Sequence, residues 1–171
     1  MKIVFVCTGN ASRSAVAEVI LRKMIQEKNL EDIEVSSCGT DVPYGQEREG
    51  IMCQIAAEHG YSMGGKAVMI TAELVNAADR IIVMTRQHKT EVIRLLDPSH
   101  WNCIALFNDI CFGESSDLPD PHYQSARGSR NLVGIAIQLS DSEEEEFFVG
   151  YPMLISPEKF DFGIERFGCG I

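Results

Sequence analysis

The 171-residue chain contains no apolar run near the roughly 18 residues that a membrane-spanning helix needs. It also lacks a basic surplus. With 15 Lys and Arg against 25 Asp and Glu, the formal charge of −10 argues against sequence-blind nucleic-acid binding. Neither a membrane nor a nucleic acid is therefore expected as a partner. The six cysteines, at 7, 38, 53, 103, 111 and 169, have neither paired metal-ligand spacing nor the density of a disulfide scaffold. No metal and no cofactor are expected, and a reducing cytoplasm is the simplest setting. The apolar segment after Lys2 is far shorter than the roughly 7–15 residues of a signal-peptide core, so no processing signal is indicated.

What the chain does have is concentrated near its start. Cys7-Thr8-Gly9-Asn10-Ala11-Ser12-Arg13-Ser14-Ala15-Val16 follow the apolar run Ile3-Val4-Phe5-Val6 and open a helical pattern that ends near Lys28. The five residues between Cys7 and Arg13 suffice to wrap the backbone once around a tetrahedral oxyanion, with N–H groups inward and a helix N-terminus adding partial positive charge. Gly9 and Asn10 tolerate positive φ. Ser12 and Ser14 bring hydroxyls, and Arg13 brings a planar fork of donors matched to phosphate oxygens. A cysteine ending a buried strand is ordinarily just a small hydrophobe. On an electropositive loop it reads as a nucleophile, so Cys7 is the expected attacking group and Thr8 to Ser14, through Gly9, Asn10, Ala11, Ser12 and Arg13, the phosphate cradle.

Phosphoryl transfer from an ester also needs a proton for the leaving oxygen. The best-placed acid in sequence is Asp120, in Asp117-Leu118-Pro119-Asp120-Pro121-His122-Tyr123, where two prolines stiffen the backbone around it. Asp117 and Asp109 lack that bracket.

Apolar runs alternating with helical segments predict a three-layer α/β fold with a parallel sheet. Strands are expected at Lys2–Val6, Ile33–Ser36, Arg80–Met84 and Cys103–Phe107. The first helix carries Val16, Ile20 and Met24 at four-residue spacing, with Ala17, Leu21 and Ile25 beside them. Further helices are expected at Gln46–His59, closed by Gly60, at Thr71–Asn76, and at Gln87–Leu96 before Asp97-Pro98. Right-handed crossovers then favour a flavodoxin-like order of 2-1-3-4, whose switch point places Cys7 in the ligand crevice.

Together, Cys7 to Ser14, Ala17-Glu18, Ser37-Cys38-Gly39-Thr40, Asp79–Met84 and Asp120-Pro121 resemble the low-molecular-weight protein tyrosine phosphatase family over roughly residues 1–125. The resemblance implies a metal-free, two-step reaction on a phosphorylated protein or peptide, releasing inorganic phosphate. Cys7 would attack phosphorus, Arg13 and the loop amides would hold its oxygens, and Asp120 would act as acid and then base. Ser14 would donate to the thiolate, Asn10 would hold the loop's unusual backbone, Ser37 would brace Asn10, and Tyr44, His122 and Tyr123 would wall the substrate ring.

Three departures from the family stand out. Ser12 occupies the place where many relatives carry a second cysteine, so Cys7 has no neighbouring thiol to trap an oxidised state and is exposed to over-oxidation. Ala11 is smaller than the branched aliphatic residue of tyrosine-directed members or the threonine of arginine-phosphate phosphatases. An arginine usual near Val68 and Met69 is missing. Phosphotyrosine phosphatase is thus the first reading and protein-arginine phosphatase the alternative. Thiol-dependent arsenate reduction ranks below both, because the helix after Met84 offers no further cysteine. The phosphatase domain is expected over 1–139. Residues 140–171, with the acidic run Glu143–Glu146, form an atypical extension possessing no family helix pattern; just before it, Val133, Ile135, Ile137 and Leu139 alternate as in a strand.

Overall fold

A computed structural model describes residues 1–48 and 50–120. Strand β1 (Lys2–Cys7) is followed by α1 (Arg13–Glu27), β2 (Glu34–Gly39), α2 (Ile51–Glu58), α3 (Ala72–Asn76), β3 (Arg80–Val83), α4 (Arg86–Ile93), β4 (Ile104–Leu106) and α5 (Phe107–Phe112). The four strands are parallel, in the order β2-β1-β3-β4. That is the expected 2-1-3-4 sheet, with β1 at its centre. Both faces are covered, as a parallel sheet requires. Ile3, Phe5 and Cys7 point to one side with Ala17, Leu21 and Ile25 of α1, whereas Val4 and Val6 point to the other with Val75, Val83 and Val92. The two apolar rows of α1 therefore have separate duties. Ala17, Leu21 and Ile25 face the sheet, while Val16, Ile20 and Met24 meet Met52, Ile55 and Ala56 of α2. Each large side chain so buried contributes roughly 1.5–3 kcal/mol.

Several boundaries differ from expectation: β2 runs three residues past the expected Ser36, to Gly39. The helix expected from Gln46 starts at Ile51, because Gly50 has φ +88° and residues 46–48 instead bridge residues 65–67. Arg48 donates its amide to Gly65 at 2.7 Å and Ala67 donates to Gln46 at 2.9 Å, fixing that excursion. The helix expected to reach Leu96 is regular only over Arg86–Ile93. The fourth strand is three residues long, preceded by a 3₁₀ turn (Pro98–Cys103) and running directly into α5, an element with too few turns to show a helical period. The expected domain boundary at 139/140 and the strand-like alternation before it lie outside the described residues. No helix among those described is long and apolar enough to cross a membrane.

Candidate active site

The site grows from the end of the central strand. Cys7 pairs in register with Gly39, and the chain beyond Gly39 hydrogen-bonds back to the loop, Thr40 N–H to the Cys7 carbonyl at 2.9 Å and Asp41 N–H to that of Thr8 at 3.0 Å. The approach is close enough to require glycine. A Cβ on Gly39 would run into the Thr8 carbonyl and sit 2.9 Å from the Asn10 amide nitrogen. The loop then enters α1 through Ser12, whose side chain makes no capping bond, so the first turn's amides are not closed off by the cap residue.

Beneath the loop lies a buried polar network, in which the Nε of Arg48 alone among that guanidinium's nitrogens has no partner. Asn10 is fully buried with φ +51°. Its amide nitrogen donates to Ser14 Oγ at 3.0 Å and Ser37 Oγ at 2.7 Å, and its oxygen accepts from the Val68 amide at 2.8 Å and from Arg48 Nη2 at 2.7 Å. Ser37 in turn donates to the buried Glu18 carboxylate at 2.5 Å. Ser14 Oγ lies 2.9 Å from Cys7 Sγ and 3.3 Å from the Cys38 carbonyl. Since Ser14 already accepts from Asn10, its single proton has two possible destinations. With Cys7 as a thiol the serine donates to the Cys38 carbonyl, and with a thiolate it turns to sulfur.

Arg13, 5% exposed, reaches over the loop from the first turn of α1. Nη1 donates to the Leu118 carbonyl at 3.3 Å, and Nη2 donates to Asp120 at 2.5 Å and to Thr8 Oγ1 at 3.3 Å. Its buried Nε has no partner. An unpaired guanidinium N–H in a buried site is costly unless a ligand takes it, and a phosphate oxygen is such a ligand. Of the three acids weighed from sequence, Asp120 is the one at Arg13. Asp117 instead accepts from the Arg86 amide at 2.9 Å at the start of α4, and Asp109 stands in the first turn of α5.

Two residues here were not foreseen from sequence. Arg48 is the first, its Nη1 3.1 Å from Glu18, which Arg22 also contacts. The second is His88, buried in α4 and linked through Nε2 to Thr8 Oγ1 and through Nδ1 to Thr85 Oγ1, both at 2.9 Å. Burial, and then the positive charge of Arg13, push His88 down to about 4, against the opposing pull of Glu91, Asp120 and Asp117. The imidazole is thus neutral at neutral pH. The unfolded chain accepts this proton near pH 6.5 and the folded chain does not, so the contribution is whole above that pH and drains as pH falls toward 4. His88→Gln should accordingly flatten the fall in urea-derived stability between pH 6.5 and 4 by up to one proton's slope. An unchanged slope would show that His88 does not hold this difference.

Cys38 stays a thiol. Burial foremost, with the neighbouring Cys7 adding and Arg48 opposing, pushes it up to about 12. As the register partner of Val6, it packs on the sheet face opposite Cys7. Cys38 is therefore not poised to act as the trapping thiol that Ser12 does not provide. Tyr44 stands fully exposed on the turn beyond Asp41. His122 and Tyr123 lie outside the described residues. Thr8 is exposed at the mouth of the loop, and Gly9, Ala11 and Ser12 are half-buried.

A family model described as low molecular weight phosphotyrosine protein phosphatase matches residues 2–136. The low molecular weight protein-tyrosine-phosphatase Etp of Escherichia coli (strain K12) is 30% identical over 139 residues, covering 81% of this chain and 88% of that one. A solved protein tyrosine phosphatase from Entamoeba histolytica superposes with a TM-score of 0.72 at 27% identity, covering 80% of this chain and 89% of the other. A YwlE arginine phosphatase from Geobacillus stearothermophilus gives a TM-score of 0.70 at 25% identity, with coverages of 81% and 86%.

Proposed function

Because the chain belongs to the low molecular weight phosphotyrosine protein phosphatase family, we propose that it hydrolyses phosphotyrosine in proteins through a phosphocysteine intermediate, with Cys7, Arg13 and Asp120 carrying the chemistry. The observation that supports this most is the convergence on one loop of the Cys7 sulfur, the unpartnered Arg13 Nε and the Asp120 carboxylate. In the first step the Cys7 thiolate attacks phosphorus, the ester P–O bond breaks, and the leaving oxygen takes a proton from Asp120. Water then attacks the phosphocysteine, the S–P bond breaks, and the water's proton returns to Asp120 as inorganic phosphate leaves. Throughout, Arg13 and the amides of Thr8 to Ser14 hold the equatorial oxygens. Arg13 Nη2 is engaged by Asp120, so an arriving dianion competes for that donor and leaves the carboxyl to face the leaving group.

Cys7, Cys38 and Cys111 carry free thiols, which supports a cytoplasmic setting for this reading. Asp120→Asn should lower kcat on phosphotyrosyl peptides about a hundredfold, yet only a few-fold on p-nitrophenyl phosphate, whose leaving group needs no proton. The check is the slope of log kcat against leaving-group pKa; an unaltered slope would remove Asp120 as the acid. Relative turnover of phosphotyrosine, phosphoserine and phosphoarginine peptides tests the substrate itself. Preference for phosphoarginine would replace the first reading with the second, which draws on the arginine phosphatase among the similar structures and on Ala11, whose small side chain sets no aliphatic or threonine contact in the loop. In that case Ala11→Thr should strengthen the preference.

A further inference from the structure

We infer that Arg48 is a positioning residue for the phosphate loop: its buried guanidinium fixes the side-chain amide of Asn10, and with it the left-handed turn that aims the loop's N–H groups, before phosphate arrives. The inference rests on the phosphatase reading above and deepens it. Asparagine tolerates the left-handed region better than other non-glycine residues but is not confined to it, so it is the side-chain bonds of Asn10 that select this turn. All four of its side-chain hydrogen-bonding positions are filled, two donors on Ser14 and Ser37 and two lone pairs on Val68 N–H and Arg48. Neither a backbone N–H nor a guanidinium can accept a hydrogen bond. Turning the amide over would therefore set donor against donor at both places, and the orientation is locked.

The rest of Arg48 is arranged to keep it there. Its backbone amide is tied to Gly65, its Nη1 to Glu18, and its Nη2 bridges Asn10 and Ser37 at 2.7 and 3.0 Å. Glu18 belongs to α1, whose first turn forms the far wall of the loop. One guanidinium thus joins both ends of the loop's support, and its charge lies beneath the cradle rather than within it. Lysine cannot do this. A single ammonium can satisfy Glu18 or reach Asn10, but it lacks the planar fork that serves both.

The test uses the full chain with Arg48→Lys, which keeps a cation beside Glu18. Inorganic phosphate affinity, read as competitive inhibition and as the phosphate-dependent rise in melting temperature, should weaken about tenfold, and kcat on p-nitrophenyl phosphate should fall by about as much. Alkylation of Cys7 by iodoacetate at neutral pH should also lose its protection by phosphate at concentrations that protect the wild type. In a double-mutant cycle, adding Arg48→Lys to Asn10→Ala should cost no further phosphate affinity. Additive losses, or a lower melting temperature with unchanged phosphate affinity and alkylation, would reduce Arg48 to an ordinary structural residue. If Arg48→Lys does not fold, the charge-neutral pair Glu18→Gln with Arg48→Gln must show the same loss of phosphate affinity, and wild-type affinity there overturns the inference. An active wild type with an indifferent Arg48 defeats this inference alone. A wild type that neither turns over p-nitrophenyl phosphate nor responds to phosphate defeats the phosphatase reading with it.

Discussion

Cys7→Ser should lower turnover by at least about 10⁴-fold while leaving phosphate binding intact. The substitution is nearly isosteric at a position that is 1% exposed and packed against Ile3 and Phe5, so the sheet has no reason to rearrange. The chemistry changes instead. A serine hydroxyl stays protonated at neutral pH, and Ser14, 2.9 Å away, is too weak a base to take its proton. The cradle is built from backbone amides and Arg13, none of which the substitution touches. Phosphate should therefore still stabilise the variant by mass action, about 2.7 kcal/mol at one hundred times its dissociation constant. The measurement is paired: turnover of p-nitrophenyl phosphate, and the melting temperature with and without phosphate. Residual turnover within a few-fold of wild type would exclude Cys7 as the nucleophile.

Arg13→Lys should be the next most damaging change, lowering kcat about a thousandfold although it conserves charge. Arginine here makes several commitments from one plane, Nη1 to the Leu118 carbonyl and Nη2 to Asp120 and Thr8, and keeps a buried, unpartnered Nε. An ammonium cannot span them. It would also leave the Leu118 carbonyl without its donor, loosening the segment that bears the acid. The loss should appear in both kcat and phosphate affinity, with the far-ultraviolet circular dichroism unchanged. A loss confined to KM would mean that Arg13 binds substrate and transition state equally.

Much of this arrangement was readable because its determinants are local. The strands are continuous apolar runs, since both sheet faces are buried, and α1 announces itself through two adjacent rows of apolar residues that turn out to meet two different partners. The loop from Cys7 to Ser14 is contiguous, and Asp120 carries its own proline bracket. Arg48 was not legible for the opposite reason. Its partners Asn10, Glu18, Ser37 and Gly65 are scattered along the chain, and its loop falls within the stretch whose pattern suggests a helix from Gln46. The flanking Gly45 and Gly50, both with positive φ, are the available sign that residues 46–48 are not helical. His88 was hidden similarly, one polar residue in a short helix whose active-site contact runs from its imidazole to Thr8 across the sheet. Short elements such as β4 and α5 carry too few residues for any period to register.

Leu118 donates its backbone N–H to the Met84 carbonyl just past the end of β3 and accepts from Arg13 on its own carbonyl, while its side chain is buried in the cluster of Phe5, Met84 and Phe107. Asp120, the proposed general acid, is therefore anchored two residues upstream of itself, from the interior. Insertions or replacements in the exposed stretch around Glu114 and Ser115 should be absorbed without displacing Asp120, so that the outer rim of the enzyme is free to diversify toward new phosphoproteins while the carboxylate keeps its address.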